Sequence, residues 1–254
     1  MKVAVIQHDI AWCDRDANFR RLEPMIGEAA SGGARLVVLT ETFATGFAVE
    51  DPSVAEPAGG PSSQFLAAMA QSHKIWIAGS CLEATDNGDG APMVNALVVV
   101  SPEGEQYRYH KIHPFTFGGE ADHVRPGSEF LTLNIEGVRT SLFVCYDLRF
   151  ADEFWQLAPE TDLYLVPANW PIKRQGHWSA LLRARAIENQ AYVIGCNRVG
   201  EGRAVAYGGE SLIVDPWGSD IALAGDNECI IYGDIEPEVV ADTRAKFPFI
   251  QDRR

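Results

Sequence analysis

The sequence predicts an α/β or α+β chain in which layered sheets are covered by helices. Strand-like and helix-like segments alternate through both halves, and turn signals between some strands mark hairpins. The bulk is sufficient for that architecture: 46% of the 254 residues are hydrophobic, enough to bury a sizeable core. No low-complexity tract or long linker divides the chain, so residues 1–254 read as one domain.

The elements follow in order. Residues 3–7 form a short apolar strand. Residues 16–30 read as a helix, with Asp14 or Asp16 as N-cap and Gly32-Gly33 as its stop. A strand is predicted over 35–40, then a helix over 61–73 with Pro61 in its first turn. Residues 75–79 are strand-like, and the turn signal Asn87–Gly90 joins 80–84 to 94–100 as an antiparallel hairpin. In the second half, strands are expected over 140–144, 163–166 and 192–196, and helices over 150–157 and 177–190. The stripe Trp178, Leu181, Leu182 and Ala186 has helical spacing. Residues 210–214 and 220–223 flank Pro216-Trp217-Gly218 as a hairpin; 229–232 is a last strand and 237–244 a helix.

Composition narrows the function. The net charge is −14 and the pI about 4.8, an acidic balance that disfavours nucleic acid as a partner. No apolar run approaches the roughly 20 residues that span a bilayer, and the amino terminus lacks a signal-peptide core. Five scattered cysteines (Cys13, Cys81, Cys145, Cys196, Cys229), an odd number, fit reduced thiols in a cytoplasmic protein. No pair is spaced as C-x-x-C, which argues against a zinc knuckle or redox pair.

The chemistry concentrates where apolar runs end on reactive side chains. Phe143-Val144-Cys145 closes an apolar segment on a thiol, Leu36–Glu41 closes one on a carboxylate, and Tyr107–Lys111 delivers an ammonium. A free thiol is mostly protonated at neutral pH. A carboxylate can take its proton, and a lysine can hold the charge that develops on a carbonyl oxygen. Together these types suffice for acyl transfer through a thioester. Singly, each has a plainer reading. Cys145 could be a packed core thiol, Glu41 a loop acid, Lys111 part of a basic patch with Arg108, His110 and His113, and Glu120 one acid of a polar loop with Asp122.

In these segments the chain resembles the carbon–nitrogen hydrolase, or nitrilase, superfamily. The matching pieces are Leu39–Phe43, Tyr109–His113, Val144–Phe150, Ala168–Pro171, Arg183–Val193 and Asn197–Gly200, in that order over nearly the whole chain. The resemblance implies a four-layer α-β-β-α sandwich of two mixed sheets with helices outside. It implies Cys145 as nucleophile, Glu41 as general base and Lys111 as oxyanion stabiliser. The Tyr146 N–H is then the second oxyanion donor, and Glu120 the acid that orients the lysine. It further implies a homodimer and no cofactor.

Two positions depart from the pattern: Pro114, where leucine is usual, and Val124, where an aromatic is usual, both in a loop expected to border the pocket. Within the superfamily, Thr45-Gly46-Phe47, Cys145–Phe150 and Asn169-Trp170-Pro171 look most like ω-amidases. Those enzymes hydrolyse monoamides of dicarboxylic acids, such as 2-oxoglutaramate and 2-oxosuccinamate. The alternatives are an N-carbamoyl amino acid hydrolase, a nitrilase or an aliphatic amidase, with a non-catalytic binding protein as the rival outside enzymes. Such a substrate needs a cation for its free carboxylate, and Arg149 is the candidate; its other reading is a pair with Asp147 or Asp152. Phe43 and Trp170 either line the pocket or pack in the core. Arg185, three residues before Glu188 on the apolar stripe, reads as a buried, paired structural residue.

Overall fold

The structure, a computed structural model, describes residues 1–85 and 93–253. In chain order its elements are β1 (Lys2–Gln7), α1 (Arg15–Ser31), β2 (Leu36–Val38), α2 (Pro61–His73), β3 (Trp76–Ala84), β4 (Met93–Val100) and β5 (Gln106–His110). Then come β6 (Thr132–Ile135), β7 (Val138–Leu142), α3 (Ala151–Leu157), β8 (Leu163–Ala168), α4 (Gln175–Asn189) and β9 (Tyr192–Asn197). The chain closes with β10 (Val199–Gly202), β11 (Val205–Gly208), β12 (Leu212–Val214), β13 (Asp220–Leu223), β14 (Cys229–Asp234) and α5 (Pro237–Lys246).

Two six-stranded mixed sheets result, ordered β14-β1-β2-β3-β4-β5 and β13-β12-β9-β8-β7-β6, with β10-β11 as a separate pair. The period of two along each strand explains their stacking. Val3, Val5, Leu36, Val38, Leu97 and Val99 of the first sheet join Leu142, Leu165 and Ile194 of the second in one core. The alternate residues Ala4, Ile6, Val37, Ile77, Val98 and Val100 pack instead against Leu22, Ile26, Leu66 and Ala70 of α1 and α2. A sheet buried on both faces reads as continuous apolar runs, which is why these strands were legible. On the far side, α4 lies close against β9. A Cβ on Gly195 would stand 2.4 Å from Leu182 and 2.6 Å from Trp178, so only glycine admits the helix there. The four-layer α-β-β-α arrangement expected from the resemblance is the one observed.

Several boundaries differ from expectation. The strand expected over 35–40 stops at Val38, and the chain then turns through Thr42, whose φ is +43°. The strand expected over 140–144 is Val138–Leu142, paired with β6, which sequence reading missed because its Thr132-Leu133-Asn134-Ile135 run is short and half polar. Trp76–Ala84 form one continuous strand antiparallel to β4; the turn expected at Asn87–Gly90 lies outside the described residues. The 210–223 hairpin is present as β12 and β13, turned by Asp215, whose Oδ1 accepts the N–H groups of Trp217 and Ser219 at 2.8 Å each.

Candidate active site

Three chain segments, two leaving strands of the first sheet and one a strand of the second, converge on one site. Glu41 follows β2, Lys111 follows β5, and Cys145 follows β7 as the first residue of a short 3₁₀ turn, Cys145–Arg149. Cys145 has φ of +47°, a left-handed conformation that costs energy in a side-chain-bearing residue and that the surroundings must impose. Glu41, Lys111 and Glu120 are wholly buried, and Cys145 is 8% exposed.

Every oxygen of the two carboxylates is engaged. Lys111 Nζ donates to Glu41 Oε1 at 2.9 Å and to Glu120 Oε2 at 2.7 Å. Asn95 Nδ2 donates to Glu41 Oε1 at 2.9 Å and to Glu120 Oε1 at 3.2 Å. Glu41 Oε2 accepts the backbone N–H of Asn169 at 2.8 Å, and Glu120 Oε2 that of Phe115 at 2.6 Å. Asn169 also donates from Nδ2 to the Glu41 carbonyl at 2.7 Å and to Thr42 Oγ1 at 2.9 Å, so the Glu41 backbone is clamped as well. Buried charges persist only when paired and hydrogen bonded in this way.

Burial alone would lower the Lys111 pKa. The adjacent Glu120 and Glu41 charges outweigh it and hold the ammonium protonated, well above its ordinary range. Burial pushes the Cys145 thiol well up, the Glu41 charge adds to that, and Lys111 opposes it. Burial likewise raises Glu120, against the pull of Lys111 and with the repulsion of Glu41. Thus the sulfur rests as a protonated thiol beside a carboxylate that can take its proton. The Tyr146 N–H sits in the first turn of the 3₁₀ segment, where intrahelical acceptors are lacking.

Asp147 fastens this turn to the segment carrying the lysine. Its Oδ2 accepts Val144 N–H and Tyr109 O–H, both at 2.9 Å, and its Oδ1 accepts His113 N–H at 2.8 Å. From the other side, Arg185 donates Nε and Nη2 to the Leu148 carbonyl at 3.1 and 2.8 Å while pairing with Glu188 at 2.7 Å. Arg185 is the buried structural residue its place on the stripe suggested.

A cavity of about 610 Å³ opens above Cys145. Its lining includes Phe47, Tyr146, Arg149, Trp170, Arg174 and Tyr207. Arg149 lies 4.7 Å from the Trp170 ring and 5.8 Å from that of Tyr146, and meets His177 Nδ1 at 3.3 Å. The alternative pairing with Asp147 fails because Val144, Tyr109 and His113 occupy that carboxylate. Phe43 is a correction: it is fully buried and packs at 6.2 Å from both Phe19 and Phe65, in the layer between the first sheet and its helices. Its expected place on the wall belongs to Phe47, four residues on, whose ring centre is 5.7 Å from Lys111 Nζ. Neither Pro114 nor Val124 borders the cavity; Val124 is buried with Val49, Leu82 and Met93 in a satellite core.

Sequence reading assigned no role to Asn95, Arg174 or Tyr207, knew Asp147 only as a possible partner of Arg149, and used Asn169 only as part of a family signature. Asn95 carried a signal, being the one amide in the otherwise apolar strand Met93–Val100, where a buried polar group demands partners.

The Carbon-nitrogen hydrolase family pattern matches residues 2–245. An omega-amidase of Escherichia coli K12, YafV, is 36% identical over 255 residues, covering 99% of this chain and 96% of the relative. A 2-oxoglutaramate amidase of Bacillus subtilis is 31% identical, covering 99% of this chain and 97% of that one. Among solved structures, the CN-hydrolase superfamily protein XC1258 from Xanthomonas campestris superposes with a TM-score of 0.93 at 33% identity, covering 100% of this chain and 97% of that chain. Saccharomyces cerevisiae Nit3, of the nitrilase superfamily, gives 0.90 at 28%, covering 100% and 96%. With the fold, the full-length match and these relatives in agreement, the chain belongs to the carbon–nitrogen hydrolase family of amidohydrolases.

Proposed function

We propose that this enzyme hydrolyses the terminal amide of dicarboxylic acid monoamides, such as 2-oxoglutaramate and 2-oxosuccinamate, through a thioester on Cys145. The observation that carries this reading is the charge of the cavity. Arg149, Lys173 and Arg174 line it, and among its described lining residues there is no aspartate or glutamate. A free carboxylate finds a cation on that wall, and Arg149 is the one that follows the nucleophile in the same short turn.

In this reading Glu41 accepts the thiol proton as sulfur attacks the amide carbon, and Lys111 and the Tyr146 N–H hold the oxyanion. Glu120 fixes Lys111 in place. Glu41 then returns the proton to the leaving ammonia, and water, deprotonated by the same carboxylate, cleaves the thioester. The cycle calls for no cofactor. Trp170 supports the Arg149 side chain, and Phe43 drops out of the substrate wall. All 254 residues act as one catalytic unit, since Glu41 and Lys111 follow strands of one sheet and Cys145 a strand of the other. We also propose a cytoplasmic homodimer. Five free thiols favour a reducing compartment. Ile187, Trp217, Ile221 and Leu223, each 40–54% exposed, offer an apolar face for self-association.

The test is ammonia release from a panel of succinamate, glutaramate, their 2-oxo forms, glutamine, asparagine, butyramide, an N-carbamoyl amino acid and a nitrile. The anionic monoamides should be preferred, and glutamine and asparagine should be poor, because an α-ammonium meets cations and no carboxylate among the described lining residues. Arg149→Gln should raise KM for glutaramate at least tenfold and leave butyramide unchanged, and Cys145→Ala should abolish turnover in a folded protein. Equal efficiency on glutaramate and butyramide would overturn the reading.

A further inference from the structure

The β10–β11 hairpin brings a phenol to the cavity that the chemistry above does not use. Tyr207, on β11, lines the cavity and is 7% exposed. Its ring is gripped by the Arg198 guanidinium, 4.5 Å from the ring centroid. Arg198 is itself wholly buried and tied down. It donates to Asp9 Oδ1 at 2.9 Å and to the carbonyls of Ile10 and Glu201 at 3.2 Å, so the ring has a fixed backing. The phenol O–H, by contrast, makes no hydrogen bond to any described residue. A ring that served only for packing would be as well supplied by phenylalanine, without a hydroxyl on the cavity wall.

Tyr207 lines the same cavity as Cys145. Burial pushes the Tyr207 pKa up to about 12, against the pull of Arg198 and with smaller contributions from the charges of Glu41 and Cys145. At working pH Tyr207 is therefore neutral and carries a proton to donate.

We propose that Tyr207 is a specificity residue whose O–H donates to the oxygen on the carbon next to the substrate carboxylate, so that the cavity selects 2-oxo monoamides over their unsubstituted counterparts. This rests on the monoamide reading above. With the amide carbon at Cys145 and the carboxylate at Arg149, the intervening carbons must cross the cavity that Tyr207 lines. In the four-carbon amide the 2-oxo group is two carbons from the amide carbon. A ketone oxygen accepts and never donates, so it suits a phenol that is held protonated and unpartnered. A methylene at that carbon gives the phenol nothing, and a site built to hydrogen bond an oxygen discriminates against the analogue that lacks it.

The test compares wild type and Tyr207→Phe on 2-oxosuccinamate and succinamate, with glutaramate as a second unsubstituted amide. The expected result is a loss of about tenfold in kcat/KM on 2-oxosuccinamate, the worth of one hydrogen bond to a neutral donor, with less than about a twofold change on succinamate and glutaramate. An equal loss on all three substrates assigns Tyr207 a structural role and overturns the proposal, as does no loss on any. If the wild-type enzyme turns over none of the three, the monoamide reading fails and the proposal fails with it. If it turns over all three and the substitution does not separate them, only the role of Tyr207 is refuted.

Discussion

Lys111 is the residue on which the buried charge balance turns. It is the ammonium that holds two wholly buried carboxylates, Glu41 and Glu120, within 3 Å of one nitrogen. Removing it leaves two uncompensated acids in a dry site. Lys111→Met should therefore lose activity and also cost about 3–5 kcal/mol of stability, read as a lower urea midpoint. Substituting Cys145 should leave that midpoint close to wild type. Phe43 gives the opposite pattern. Because it packs with Phe19 and Phe65 away from the cavity, Phe43→Leu should cost about 1–2 kcal/mol and leave KM unchanged.

At the scale of elements, the Cys145–Arg149 turn is held by contacts that no local sequence pattern announces. Asp147 has no helix-cap signature for Tyr109 and His113, which lie 38 and 34 residues away. Asp147→Asn replaces an acceptor with a donor that faces other donors. It should lower kcat by about ten- to a hundredfold, in line with losing a buried charge-assisted network worth roughly 1.5–3 kcal/mol, while binding of a competitive monoacid changes little. The same distance problem explains what sequence reading missed around Glu41. Glu41, Lys111 and Cys145 were legible because each ends a strand-like run in a recognisable signature. Asn169 reaches Glu41 across 128 residues, and Asn95 across 54. Phe43 was misplaced because an aromatic two residues from a reactive acid points to the site only if the backbone stays extended, and the positive φ at Thr42 breaks that alternation. The β10 and β11 strands escaped notice because Val199-Gly200-Glu201-Gly202 offers little of the apolar pattern that marks a strand.

For the whole molecule, the central strands were readable because they are buried on two faces, the sandwich itself came only from the family resemblance, and the depth of the layers was not legible. His8 illustrates the difference. It follows β1 and reads as an ordinary polar residue, yet it is fully buried, with Nε2 against the Phe43 carbonyl at 3.4 Å. Burial, reinforced by Arg198 and partly offset by that carbonyl, lowers its pKa from 6.5 to about 4. The unfolded chain thus binds a proton that the folded chain refuses between these values, so stability is intact above pH 6.5 and falls as pH drops toward 4. The expected slope is about 1.4 kcal/mol per pH unit from this site. Guanidinium unfolding at pH 7 and pH 5 should show it, and His8→Gln should flatten the difference.

The stacking of Arg149 on Trp170 has an optical corollary. The indole N–H is spent on the Arg174 carbonyl at 2.8 Å, and the ring carries a cation on its face at 4.7 Å. Any acid that draws the guanidinium toward itself lifts a charge from the chromophore, so occupancy of the cavity becomes visible as a change in tryptophan emission. The enzyme thereby holds an intrinsic fluorescent gauge of saturation, one that replacing Trp170 with phenylalanine would silence.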